Sequence, residues 1–295
     1  MQTSRRSILK GSILASLAGT MGATAMSASA AEKQAALPKK EYDLVICGLG
    51  IGGIVTAIRA AQDGLKPVIL EKMSSASGNT IYSAGFMLGV NTKMQQEKKL
   101  ETGDTVDKFY EDMMKVSQGR GDPKLTRLVA EKADETLNWL HDYVGVKYAV
   151  GMKLVWPMLQ RAHLTIGEKK PGGTQLMLYL LAKAKELNVP IVYNAKAVEL
   201  LDNPQNGKVI GVKVKSKEGF EEYFGKYGVV MATGGFSANK MMLTMMAGVP
   251  AANMPVRGSH SVTGESILLT GPYFPKVVNV DQYHCGSTDL QALTR

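Results

Sequence analysis

The chain is short of cysteine, tryptophan and histidine. Cys47 and Cys285 are the only cysteines in 295 residues, and neither belongs to a CxxC or CxxCH motif. That excludes a disulfide framework, a zinc knuckle and a c-type haem attachment site. No spacing of His, Cys, Asp or Glu points to a metal. Beyond the first 30 residues no apolar run approaches the roughly 20 residues of a membrane-spanning helix. A basic stripe is also missing. The formal net charge is +9, but cations alternate with acids, as in Glu131-Lys132-Ala133-Asp134-Glu135. This is not the one-sided basic face of a nucleic-acid-binding surface, so no nucleic-acid partner is expected. Arg5, Arg6 and Lys10 lie in an acid-free segment and supply three of the nine net charges. The methionines Met241, Met242, Met245 and Met246 are read as filler on a core-facing helix rather than as metal ligands.

What is present suits a globular chain: 45% hydrophobic and 21% charged residues, enough for one large or two small domains. The N-terminus reads as an address. Ser4-Arg5-Arg6-Ser7-Ile8-Leu9-Lys10 precedes an apolar Gly/Ala-rich stretch, and Ala28-Ser29-Ala30 is a small-x-small cleavage site. Together these make residues 1–30 a signal peptide, and the paired arginines resemble the twin-arginine export signal. The alternative, a membrane anchor, is opposed by the Gly, Ser and Thr interruptions. A periplasmic location follows, along a route used by proteins that fold around a cofactor before export. Residues 31–40 are expected to be a mobile linker, leaving 41–295 as the folded unit.

Tyr42-Asp43-Leu44-Val45-Ile46-Cys47 reads as a strand running straight into Gly48-Leu49-Gly50-Ile51-Gly52-Gly53. An Ala-rich helical stretch, Ile54 to Gln62, follows, then Gly64, a second strand over 66–70, and Glu71. This is GxGxxG in its full context. Gly48 permits the tight strand-to-helix turn, Gly50 lets the backbone approach a pyrophosphate, and Gly53 lets helix and strand pack closely. The helix N-terminus offers free N–H groups and the positive end of its dipole. Glu71 stands where a carboxylate accepts hydrogen bonds from an adenosine ribose. That acid fits either FAD or NAD. NAD enzymes usually continue with another βαβ unit, whereas here a small polar loop follows, Lys72 to Thr80, and then Tyr82-Ser83-Ala84-Gly85-Phe86.

Further on, residues 104–118, 123–141 and 172–187 have helical apolar spacing. Ile191 to Val230 reads as strands with turns at 203–207 and 217–219, a β-meander set into an α/β domain. Ala232-Thr233-Gly234-Gly235 closes an apolar strand with small residues, which suits backbone approaching a ligand.

The order strand-GxGxxG-helix-strand-Glu-Lys, then the Gly78-Asn79 loop and Ser83-Ala84-Gly85, resembles the fumarate reductase/succinate dehydrogenase flavoprotein superfamily. The likeness is greatest to its soluble periplasmic branch, the flavocytochrome c-type fumarate and urocanate reductases. It continues through Asp122-Pro123, Arg161-Ala162-His163, Pro171-Gly172-Gly173, the segment Asn194 to Leu201, and Val229 to Phe236. The fold it implies is a Rossmann-like FAD-binding domain of the glutathione-reductase type, with the meander inserted. The domain would be incomplete at its C-terminus, lacking the family's capping domain and closing segment.

The resemblance implies roles residue by residue. Gly48, Gly50, Gly52 and Gly53 would meet the pyrophosphate, and Glu71, with Lys72 beside it, the ribose. Asn79 and Thr80 would lie along the phosphates and ribityl chain, with Ser83, Ala84 and Gly85 facing the isoalloxazine. Ala197 would touch the adenine, and Thr233, Gly234 and Gly235 the ADP side. Asn79 occupies the place where membrane-bound members carry a flavin-linked histidine, so FAD is expected to be noncovalent. Glu265 stands in Thr263-Gly264-Glu265-Ser266, where the family often has Gly-Asp-Gly. His284 resembles a histidine that holds the substrate carboxylate. His163 is either structural or close to the flavin, while His141 and His260 read as surface residues. The implied activity is reduction of a C=C bond beside a carboxylate. The implied partners are a small unsaturated carboxylate, a c-type cytochrome donor, and a second chain supplying the cap. A fragment without activity of its own is the alternative.

Overall fold

The computed structural model describes residues 37–100, 103–168 and 171–282. The expected signal peptide and His284 lie outside these residues. In chain order the strands and helices begin with β1 (Lys39–Tyr42), β2 (Leu44–Cys47), α1 (Ile51–Gln62), β3 (Pro67–Leu70) and β4 (Phe86–Leu88). Next come α2 (Lys93–Glu97), α3 (Val106–Val116), α4 (Pro123–Trp139), β5 (Lys147–Ala149), β6 (Ala162–Ile166) and α5 (Gly173–Glu186). The remainder are β7 (Ile191–Val192), β8 (Lys196–Asp202), β9 (Val209–Lys215), β10 (Phe220–Gly225), β11 (Val229–Met231), α6 (Lys240–Ala247), α7 (Val249–Ala252) and α8 (Glu265–Thr270).

Three sheets organise the fold. The parallel sheet β11-β2-β3-β7 carries the glycine-rich turn, with Val45 opposite both Val229 and Val68. Its inner strands are short apolar runs with Val45, Ile46, Val68 and Ile69 fully buried, as expected of a sheet covered on both faces. One face packs on α1 and α5 through Ile54, Ile58 and Leu180, and the other on the meander through Val212, Val214 and Tyr223. Burying each such side chain contributes roughly 1.5–3 kcal/mol. The meander β10-β9-β8 is antiparallel, with β1 added in parallel at its edge. The third sheet, β4-β6-β5, is antiparallel.

Local signals set the helix starts. Asp122 accepts hydrogen bonds from Lys124 N (2.9 Å) and Leu125 N (3.0 Å), with Pro123 at the first helical position. Thr92 and Gln95 form a capping box on α2. After Trp139 the chain widens into a π-helical turn, Leu140–Val144, ended by Gly145 at φ 87°.

Three expectations change. The expected linker 31–40 overlaps β1: Lys39 and Lys40 pair with Glu222 and Tyr223, and Lys40 is bonded to Glu221 and Tyr223. The expected strand 42–47 is broken by a bend at Asp43, so β1 and β2 join different sheets. Among the α6 methionines Met242 is buried, but Met241 and Met245 are exposed. The helix turns only one side inward, so they are not all core filler.

Candidate cofactor site

At the C-terminal edge of the parallel sheet lies a cavity of ≈ 330 Å³. Open α/β sheets bind ligands at this edge, where connections diverge to either side. Gly48 begins the turn that opens it. Its φ is 109°, and a Cβ there would stand 2.4 Å from Ala232 O, so only glycine fits. A Cβ on Gly53 would stand 2.0 Å from Gly48 O, which keeps α1 against the turn. Gly50 differs. Its backbone is extended, and a Cβ would meet only Thr80 Oγ1, at 3.8 Å. Its missing side chain leaves room in the cavity and relieves no packing.

The N-terminus of α1 is partly spoken for. Thr80 Oγ1 accepts the Ile51 N–H at 3.0 Å, and the Glu71 carboxylate accepts Leu49 N–H at 2.9 Å. Helix geometry leaves Gly52 and Gly53 N–H without intrahelical acceptors. Glu71 also accepts Met73 N–H at 2.9 Å. This carboxylate therefore fixes both loops at the sheet edge while lining the cavity.

Opposite stands a second acid. Glu265 Oε1 is 2.5 Å from Lys72 Nζ and accepts the Thr263 hydroxyl at 2.6 Å. Glu265 Oε2 is buried and accepts no hydrogen bond. Burial pushes the Glu265 carboxyl up, but Lys72 and Thr263 more than offset this and leave it below the usual range. A charged carboxylate with one unspent oxygen on a cavity wall is a ready acceptor for a ligand hydroxyl or N–H. Ser266 ties its hydroxyl to Thr233 Oγ1 at 2.5 Å, so the side chain added at this place braces the 233 loop.

Of the sequence-derived residues, Gly48, Gly50, Gly52, Glu71, Lys72, Asn79, Thr80, Ala197, Thr233, Gly234 and Glu265 all line the cavity. Gly53 lies behind the turn. Gly235 is exposed beside it. Ser83 and Ala84 are exposed, whereas Gly85 is buried, where a Cβ would stand 2.3 Å from Gly172 Cα. The bareness of Gly85 thus serves a backbone crossing with the Gly172-Gly173 turn. Ala195 and Lys196, in the segment likened to the adenine-bordering strand, line the cavity too, while sequence reasoning missed Gly78, Ser261 and Val262. Gly78, next to Asn79, had a local signal. Ser261 and Val262 had none, since a loop some 200 residues beyond the glycine turn brings them in.

Cys47 is buried beneath the turn, and burial pushes its thiol up to about 12, so it stays protonated and unreactive. His163 is fully buried away from the cavity lining. Its ring bonds Thr92 Oγ1 at 2.7 Å and Arg161 O at 2.8 Å, which makes it structural. His260 is exposed, and His141 caps its own turn through Val146 O at 2.9 Å.

A family model described as an FAD binding domain matches residues 43–270. The chain belongs to this FAD-binding family. Its place within the family is the fumarate reductase/succinate dehydrogenase flavoprotein superfamily. The domain is 27% identical over 247 residues to a probable fumarate reductase of Shewanella frigidimarina, a match covering 84% of this chain and 41% of that protein. It is 32% identical over 210 residues to a urocanate reductase of Eggerthella lenta, covering 68% of this chain and 33% of the relative. Its fold superposes on the open conformation of a flavocytochrome c3 fumarate reductase with a TM-score of 0.73 at 25% identity, covering 92% of this chain and 43% of that one. The chain thus spans well under half the length of each. FAD is the cofactor of this domain. Among the described residues no helix is long and apolar enough to cross a membrane.

Proposed function

We propose that this domain holds FAD noncovalently for the reduction of an activated C=C bond beside a carboxylate. The observation that carries the reading is the cavity itself. Glycine-rich turn, helix N-terminus and two acids converge on ≈ 330 Å³, and one acid keeps an unspent oxygen. The residues fit the cofactor. Gly50 leaves room for a pyrophosphate, and Gly52 offers an N–H group to it. Glu71 and Glu265 supply acceptors for ribose and ribityl hydroxyls. Ala195 and Ala197 give the adenine a flat, small-sided wall. Asn79 offers an amide in place of a nucleophilic histidine, which supports a noncovalent flavin. Bound FAD would supply the hydride.

The proposed substrates are small unsaturated carboxylates, by analogy with the reductases this chain is similar to. His284 is proposed to hold a substrate carboxylate. Polypeptide beyond this domain, in the same or a second chain, would complete the substrate side. A c-type cytochrome is the proposed donor, with twin-arginine export to the periplasm. This domain joined to the polypeptide that completes its substrate side, saturated with FAD and reduced anaerobically, tests this. Bleached flavin absorbance should return on adding fumarate, urocanate or another enoate. Return with none of them, while oxygen still reoxidises the flavin, would leave the alternative, a flavin-binding module without turnover.

A further inference from the structure

The wall formed by residues 258–265 comes from farthest along the chain, and it is fastened at both ends. At one end Asn79 Oδ1 accepts the Ser259 N–H at 2.8 Å. The approach is close enough that a Cβ on Gly258 would stand 2.5 Å from that oxygen. Ser259 is 2% exposed, its hydroxyl is 2.7 Å from Ser261 Oγ, and Ser261 N donates back to it at 3.1 Å. At the other end Lys72 Nζ reaches Thr263 Oγ1 (3.0 Å) and Glu265, and Asn239 Nδ2 donates to Thr263 O at 3.1 Å. Between these ends Ser261 Oγ meets Ser77 Oγ at 3.3 Å and Val262 O accepts the Ala238 N–H at 3.0 Å, while both residues form part of the cavity surface.

We propose that Asn79 is a positioning residue that fastens this loop across the cavity, so that bound FAD leaves only when the fastening opens. The inference rests on the FAD reading above. Its departure from that reading is chemical. The Asn79 oxygen is spent on a backbone N–H, so Asn79 sets how long the cofactor stays through the loop. The Lys72–Glu265 end stays tied when the Asn79 end is cut, which makes the effect local.

The test uses the full chain with Asn79→Leu, which keeps the shape and removes the acceptor, and Asn79→Asp, which keeps the acceptor. Two quantities are measured: FAD release, by recovery of flavin fluorescence on dilution, and amide hydrogen exchange of 258–263 in FAD-free protein. Asn79→Leu should release FAD about tenfold faster, the scale of one net hydrogen bond. Its 258–263 amides should exchange faster even without FAD, and Asn79→Asp should restore slow exchange. Should Asn79→Leu fail to fold, Gly258→Ala pushes the loop off the same oxygen and should give the same two changes. Wild-type exchange in the loosened variant overturns the proposal, even with faster release, because the effect would then be direct contact with FAD. A wild-type chain that takes up no FAD overturns the cofactor reading and this proposal with it.

Discussion

Two of the polar clusters buried among the described residues, one around Arg161 and one around Glu265, are finished differently. Arg161 is 1% exposed and forms ion pairs with Asp104 and with Asp112, the latter at 2.8 Å. Its guanidinium also reaches Pro157 O and stacks 4.9 Å from the Phe109 ring centroid. Burial opposes that charge, but Asp104 and Asp112 more than offset it and hold the guanidinium above its ordinary range. This cluster pins α3 to β6. Glu265 has a cation and a hydroxyl on one oxygen and nothing on the other. The Arg161 cluster closes on itself, whereas the Glu265 cluster on the cavity wall keeps one oxygen without a partner.

The same contrast separates two glycines in one turn. Gly48→Ala combines left-handed strain, about 1–3 kcal/mol, with overpacking of similar size, so the fold should lose about 2–6 kcal/mol. Thermal denaturation of the FAD-free chain checks this, and an unchanged midpoint would remove the turn from the account. Arg161→Ala strands two carboxylates and should cost about 3–5 kcal/mol. What remains folded at low temperature should still bind FAD one to one, as read by flavin absorbance. Glu265→Ala should do the reverse, weakening FAD by roughly 10- to 100-fold through a lost charged acceptor while moving the FAD-free midpoint far less. Equal losses of affinity and stability would erase the distinction between the clusters.

Two smaller effects sharpen it. His163 is neutral in the fold, and burial holds its pKa below 6.5. Its contribution to stability is therefore fully present above pH 6.5 and is lost as pH falls toward the lowered folded value. Melting temperature should drop between pH 7 and 5, and His163→Gln should flatten that slope at a cost in stability. Gly50→Ala should leave the FAD-free midpoint unchanged or up by less than about 1 kcal/mol, since its backbone is extended and open. Its FAD affinity should fall all the same.

The glycine-rich half of the cavity was legible because it is local. Gly48, Gly50, Gly53 and Glu71 act within two strands and one helix, and the spacing encodes their geometry. Four groups escaped for physical reasons. Ser261 and Val262 reach the cavity only through tertiary folding, which no local pattern records. Arg161 lies some 50 residues from Asp104 and Asp112, and no local pattern links them. Gly85 looks like a cofactor glycine in sequence, yet its close neighbour is the Gly172 backbone. Lys39 and Lys40 read as linker because a half-exposed edge strand carries charge outward.

The most direct test is flavin stoichiometry. The full chain purified with excess FAD, desalted and acid-released should yield about one FAD per polypeptide, with none left attached to the precipitated protein. A folded chain that stays colourless under saturating FAD would contradict the claim that this cavity is a cofactor site.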